Sequence, residues 1–449
     1  MSETERQERQ ETQESQVRRW QRLRLGRPHL VPKLLGYLGR EKESLRQGFA
    51  ALFISSVGEL VAGLALAGIT GTLEELVGLA ILIPAAIAMR GAIFGAMGSR
   101  LSTAIHTGLF RVDFRRGPLA ENVQAAAVLS LVTGVFLAIL ARAFAGLLGV
   151  PTELSTLDYV VISTVGGVVA GIFLVGITVL VARLSVRRGW DLDNIAAPML
   201  TAAGDILTLP ALVLATYLIG IPVFSGSLAV ALLVAAAAAV AVGLARGAAG
   251  LVRILRESLP ILALNGTVII IVGVALEARL EQFAAFPAML ILFPAFLQEG
   301  GALGGILASR LSSKVHVGLL EPRSLPQLGA VSDFGLIYTF AIGVFLFIGG
   351  AAHFLAVGLG ALLGPGTLSA LGLEAGSMSP GFFTMVGISA LAGLIATTAA
   401  ILAAYYGSVT SFRLGMDPDT YGIPIITAAV DLFGFASLII ALSVFGLAG

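Results

Sequence analysis

The chain has 449 residues, of which 57% are hydrophobic and only 12% charged, and its mean hydropathy is +0.94. An ordinary soluble domain carries about 25% charged residues, so this chain cannot cover itself with polar groups and its solvent must be largely lipid. The absence of cysteine excludes disulfides, thiolate metal sites and catalytic thiols, and a formal net charge of +1 points to no partner, nucleic acid included.

Residues 1–47 are polar and basic, without the early apolar core or small-residue cleavage site of a signal peptide. Within them, RRWQRLRLGRPHLVPKLL suits either a short amphipathic helix on an anionic membrane face or a solvated basic tail that helps set topology. Beyond it, hydrophobic runs predict eleven helical spans, each long enough for a bilayer that needs ~20 apolar residues. The first, 48–70, carries Glu59 mid-span in SSVGELVAG. The second, 77–107, contains PAAIAMRGAIFGAMGSRLSTAIHTGL, with Arg90 inside the span and His106 near its end. Spans 121–148 and 157–186 follow. The fifth, 194–219, is entered through DLDNIAAPMLTAAGDI. Then come 227–245, 257–277 with Asn265, and 285–314 with Glu299 in PAFLQEGGALGGILASRL. Spans 333–362 and 380–411 precede the last, 421–447, entered through DPDTYGIPIITAAVDL.

The basic residues test this layout. All Lys and Arg except Arg90, Arg142 and Arg279 fall in the N-terminal segment or at alternate span ends. The positive-inside rule then places the N-terminus in the cytoplasm and, with eleven spans, the C-terminus outside, as expected of a multi-pass plasma-membrane protein.

Two stretches occur twice. The segment from Pro84 aligns without gaps to that from Pro294, an offset of 210, matching Gly91 with Gly301, Ser99-Arg100-Leu101-Ser102 with Ser309-Arg310-Leu311-Ser312, and His106 with His316. The segment from Asp191 recurs from Asp417, an offset of 226. The chain therefore divides into a basic segment 1–47, a first five-span repeat 48–222, a linking helix 223–248 and a second repeat 249–449. The odd linking span makes the two repeats parallel, related by a pseudo-two-fold along the membrane normal, like a homodimer within one chain. The expected fold is an all-α polytopic membrane protein, plausible as a monomer.

Asn194, Thr201 and Asp205 are spaced 7 and 4 apart and share one helical face; Thr420, Thr427 and Asp431 repeat the spacing. At 1.5 Å per residue Asp205 lies roughly 15–18 Å from its helix start, near the middle of the hydrocarbon. A carboxylate there costs at least ~2.5 kcal/mol and normally faces a cavity or a partner. Two such carboxylates meeting near the pseudo-axis would repel, and a divalent cation between them would relieve the repulsion. Pro198 and Pro424 each remove a helix hydrogen bond, freeing the carbonyls of Asn194 and Thr420 as further oxygen ligands. The alternative is that each Asp is satisfied by the Thr one turn back. Asp193 and Asp419 sit where N-caps belong; together with Asp191 and Asp417 they would otherwise form an acidic cytoplasmic mouth.

Glu59 and Glu299 break the repeat symmetry, their equivalents being Ile269 and Met89, and Asn265 stands where Ser55 does. Two readings are open: Arg90 forms a buried structural ion pair with Glu59 or Glu299, or a free carboxylate among these contributes a second or coupling-ion site. His106 and His316 are isolated and lack the companions of a zinc site. No nucleotide-binding fingerprint or nucleophile constellation is present, and no enzyme activity is expected.

At PAFLQEGGALGGILASRL and IPIITAAVDLFGF the chain resembles the membrane domain of MgtE-type magnesium channels, and more closely the two-repeat solute-carrier relatives of MgtE, from about Leu45 onward. That family carries a Gly-Gly-Asn before its Ser/Thr-x-Arg-Leu, and here the Asn is lost: Arg90-Gly91-Ala92 and Gly300-Gly301-Ala302 stand in its place. Its Thr-x-x-x-Asp-x-x-Gly element maps onto Thr201–Asp205 without the Gly, and onto Thr427–Asp431 with Gly434. The resemblance implies Mg²⁺ as the transported ion, with the final Asp of each element lining its path. It gives no warrant for the family's cytoplasmic sensing domains, for which residues 1–47 are too short. The expectation is Mg²⁺ passage between the repeats, with no organic cofactor. A Na⁺- or H⁺-coupled Mg²⁺ antiporter and a non-transporting structural membrane protein stand as alternatives.

Overall fold

The computed structural model describes residues 42–188, 192–221, 223–316, 320–323, 325–370, 378–413 and 423–447, with the backbone alone at 42–47, 106, 188, 192–198, 246, 316, 364–370 and 423–425. All regular structure there is helical. The helices are α1 (Lys42–Gly68), α2 (Thr70–Glu75), α3 (Ile83–His106), α4 (Pro118–Leu148), α5 (Thr156–Arg188), α6 (Leu192–Thr216) and α7 (Phe224–Arg246). They continue with α8 (Ala249–Glu277), α9 (Leu280–Ala284), α10 (Pro287–His316), α11 (Leu328–Ala370), α12 (Phe382–Arg413) and α13 (Ile423–Val444). Eleven spans are long and apolar enough to cross a membrane, as the hydrophobic runs predict.

One predicted span is not a continuous helix. At 77–107 the chain first makes a single 3₁₀ turn, Leu79–Ile81, entered through Gly78 at φ 106, and α3 starts only at Ile83 with Pro84 in its first turn. That turn is tied to the end of α8: the backbone N–H groups of Gly78 and Ala80 donate to the Glu277 carboxylate at 2.7 and 3.0 Å. Elsewhere the ends follow local chemistry. Pro118 begins α4, where its missing N–H has no helical partner to lose, and Gly149, at φ 69, closes it by donating to the Ala145 carbonyl.

The packing partners of the two halves correspond. In the first, α3 packs against α4, α5 and α6, and α5 against α4 and α6; in the second, α10 packs against α11, α12 and α13, and α12 against α11 and α13. The leading helix of each half crosses to the other. Gly63 of α1 meets the backbone of Ile291 in α10, and Gly273 of α8 meets the backbone of Ile81 before α3. Both members of each pair are offset by 210. Phe49 of α1 also meets Phe340 of α11 edge to face, and Phe53 meets Phe347 at a tilt, at 4.8 and 4.1 Å between ring centres. In lipid there is no hydrophobic drive between helices, so small residues that admit close backbone contact decide where they join. The linking helix α7 lies at the edge against α4, α5 and α8 and is the least buried span.

Candidate functional site

Asp205 lies on α6, and its side chain is 1% exposed. Neither of its oxygens has a hydrogen-bond partner. The nearby hydroxyl that might have served it, Thr208 Oγ1, instead donates back to the Gly204 carbonyl at 2.6 Å. Thr201, one turn earlier, is half-buried, with its methyl 3.3 Å from where a Cβ on Gly91 would stand. The glycine shared by the repeated α3 and α10 motifs is therefore a space for a threonine. In the second half, Gly301 faces Thr427 in the same way at 2.9 Å and lies 3.8 Å from Asp431 Oδ1.

The carboxylate beside Asp205 is Glu59. Helix α1 meets α6 at Gly58, where a Cβ would stand 2.5 Å from that of Ala202. Glu59 follows Gly58 and Asp205 is one turn beyond Ala202, so the two acids lie side by side and interact directly. Glu59 is 1% exposed, and neither of its oxygens has a donor. On its other side Glu299 of α10, fully buried, takes the Ser56 hydroxyl on Oε1 at 2.8 Å and has no partner on Oε2. Ser56 and Glu59 are three residues apart on one face of α1, so that face stands between Asp205 and Glu299. Sequence reasoning missed Ser56; the i, i+3 spacing of Ser56 and Glu59 in a span that otherwise reads as apolar was the available signal.

The expected meeting of Asp205 with Asp431 is not found: no hydrogen bond or charge interaction joins them. Asp431 is 9% exposed on α13, and the positions equivalent to Glu59 and Glu299 on its side are Ile269 and Met89. Asn265, on α8, is half-buried with Oδ1 unpartnered; no contact joins it to Glu59 or Glu299.

The ion pair considered for Arg90 is also absent. Its guanidinium turns to α5, where Nη1 donates to the Gly167 carbonyl at 3.1 Å, while Nε and Nη2 have no partner. The reason is local geometry: Gly167 leaves the space the guanidinium fills, whereas Glu59 and Glu299 come from α1 and α10. On α6 the residue opposite Arg90 is Gly204, and in the second half the sizes exchange, Gly300 facing Val430. Asp193 and Asn194 fall in the first turn of α6, where only the backbone is described. Asp191, Asp417, Asp419 and Thr420 lie outside the described residues. Pro198 lies inside α6, whereas the residue four before Pro424, Thr420, lies outside the described residues.

Among the described residues no three His, Cys, Asp or Glu side chains converge into a ready-made metal cage. The arrangement sets acceptor oxygens in excess of donors within the span.

The sequence pattern of the MgtE family, described as a divalent cation transporter, matches residues 83–215 and 293–441. Solute carrier family 41 member 2 of Xenopus laevis is 27% identical over 389 residues, 82% of this chain and 66% of that protein, so the chain spans just under two thirds of that relative's length. The crystal structure of the eukaryotic MATE transporter AtDTX14 covers 91% of this chain and 97% of its own at 11% identity, with a TM-score of 0.33, too low to carry any argument.

Proposed function

The chain belongs to the MgtE family of divalent cation transporters, and from that premise we propose that it carries Mg²⁺ across the membrane between its two repeats, with Asp205 and Asp431 as the carboxylates that meet the ion, one from each repeat. The observation that carries this reading is Asp205: a buried mid-span carboxylate with no partner on either oxygen. Such a group is costly in hydrocarbon unless an ion or water reaches it. Thr201 and Thr427, half-buried one turn before each Asp, supply hydroxyls on the same faces, with Asn194 and Thr420 a further two turns away.

Mg²⁺ sheds water reluctantly and is commonly held by one or two carboxylates with water completing its shell. A path lined by single carboxylates, hydroxyls and carbonyls repels anions and holds the ion weakly enough to release it. The repeats 48–222 and 249–449, joined by the linker 223–248, would face one another about an axis along the membrane normal, so that one chain suffices. On this reading the N-terminus and the acidic mouth, Asp191, Asp193, Asp417 and Asp419, face the cytoplasm across the plasma membrane, an orientation that the distribution of basic residues supports.

The test is Mg²⁺ uptake into proteoliposomes holding the purified chain. Wild type takes up Mg²⁺, and the Asp205→Asn/Asp431→Asn double variant loses most of the flux. Wild-type-like flux in that variant would falsify the assignment.

A further inference from the structure

Building on that transport reading, we infer that Glu59, Asp205 and Glu299 form a one-sided binding site for a partly hydrated divalent cation, present only where α1, α6 and α10 meet. Five oxygens of these three carboxylates, both of Glu59, both of Asp205 and Oε2 of Glu299, are buried without a hydrogen-bond partner. Ionised carboxylates are acceptors only, so another acceptor cannot satisfy them; a cation can. The Ser56 hydroxyl on Oε1 of Glu299 fixes that carboxylate and leaves its second oxygen free.

The site draws on both halves. Because α1 crosses onto α10 at Gly63 and Ile291, Glu59 brings Asp205 of its own repeat beside Glu299 of the other. Mg²⁺ is commonly bound through one or two carboxylates with its other positions kept by water, a number that the adjacent Glu59 and Asp205 supply. Glu59 and Asp205 are the adjacent pair, and Glu299 interacts with Glu59 from its other side.

The acids are not repeated as a set. Glu59 and Asp205 belong to the first half, and Glu299 reaches them from the second. The positions equivalent to Glu59 and Glu299 are Ile269 and Met89, so the repeat sets no such acids beside Asp431. The site therefore binds one ion, not a symmetric pair.

Mn²⁺, a paramagnetic divalent probe, tests this on the full chain in detergent by electron paramagnetic resonance, with Mg²⁺ competing. Wild type should show one tight equivalent that Mg²⁺ displaces. Glu59→Gln and Glu299→Gln should each weaken it by about 10–100-fold, while Glu321→Gln, at an exposed acid paired with Arg323 outside the spans, keeps it. Ser56→Ala, which leaves every carboxylate in place, should lower Mn²⁺ affinity by freeing Glu299, and it decides the matter if a Gln variant fails to fold. The Met89→Glu/Ile269→Glu pair, which copies the acids onto the Asp431 side, should add a second equivalent. Unchanged Mn²⁺ affinity in Glu59→Gln, Glu299→Gln and Ser56→Ala, or an equal loss in Glu321→Gln, overturns the inference. Those outcomes leave the transport reading standing, since it falls only with wild-type-like Mg²⁺ flux in the Asp205→Asn/Asp431→Asn variant.

Discussion

Asp333 shows what a buried carboxylate looks like in this fold when it joins helices. It is fully buried on α11, yet Arg310 Nη2 and Lys314 Nζ of α10 reach it at 3.0 and 2.6 Å. Asp205 and Glu59 are as deeply buried and have no donor at all; that difference in partners separates a structural acid from one open to an ion. The first half repeats the structural role with a weaker acceptor, Arg100 donating to Asn122 Oδ1 at 2.7 Å. The repeated Ser-Arg-Leu-Ser motif thus fastens α3 to α4 and α10 to α11. Asp333→Ala leaves two cations without their acceptor. Both are about one-fifth exposed and can draw water, so the expected loss is about 2 kcal/mol rather than that of a wholly buried pair. Asp333→Asn, which reproduces the Asn122 arrangement, should lose less. Thermal unfolding in detergent ranks the two: no loss in Asp333→Asn would deny the charge its part, and a loss equal to that of Asp333→Ala would show that an amide oxygen cannot stand in for the carboxylate.

At the scale of helices, Gly63 and Gly273 are the joints. Each sits against a backbone carbonyl of the opposite half, Ile291 and Ile81 respectively, and a methyl group there has nowhere to go, because backbone cannot rotate aside as a side chain can. Gly63→Ala and Gly273→Ala should therefore each lower stability, by about 1–3 kcal/mol, while Gly95→Ala, with open space around it, should change it by less than about 0.5 kcal/mol. A Gly63→Ala variant as heat-stable as Gly95→Ala would show that α1 is not held there. The spans themselves were legible in the sequence, because hydropathy reports solvent and solvent here is lipid. The stripe from Thr201 to Asp205 was legible because helical spacing puts its members on one face. The symmetry-breaking acids Glu59 and Glu299 were legible as exceptions, but their neighbours were not. Repetition says that two helices have the same partners without saying in which copy, so the crossing of α1 that brings Glu59 to Glu299 left no mark. Arg90 was read toward the glutamates because charges are visible in a sequence, whereas the carbonyl of Gly167 that receives it belongs to every residue alike.

For the whole molecule, crossed leading helices make neither half self-sufficient. Without residues 249–449, the faces of α3 and α4 that α8 covers would be open, and so would the α1 surface that packs on α10 and α11. Without residues 1–248, α10 and α11 lose α1 in the same way. Internal duplication alone would allow each half to fold and dimerise with itself, but the exchange is no longer symmetric. Gly300 faces Val430 where Arg90 faces Gly204, so two copies of one half would place matching residues where the interface has become unlike. A chain cut at the linking helix and expressed as 1–248 and 249–449 should accordingly accumulate only when both pieces are made together, and the two should co-purify through a tag on either one. Each half expressed alone should be degraded or aggregate, since exposed small-residue faces and buried acids without their neighbours are poorly accommodated in lipid. A monodisperse, heat-stable 249–449 piece on its own would show that the crossing of α1 is dispensable and that the second repeat remains an independent unit.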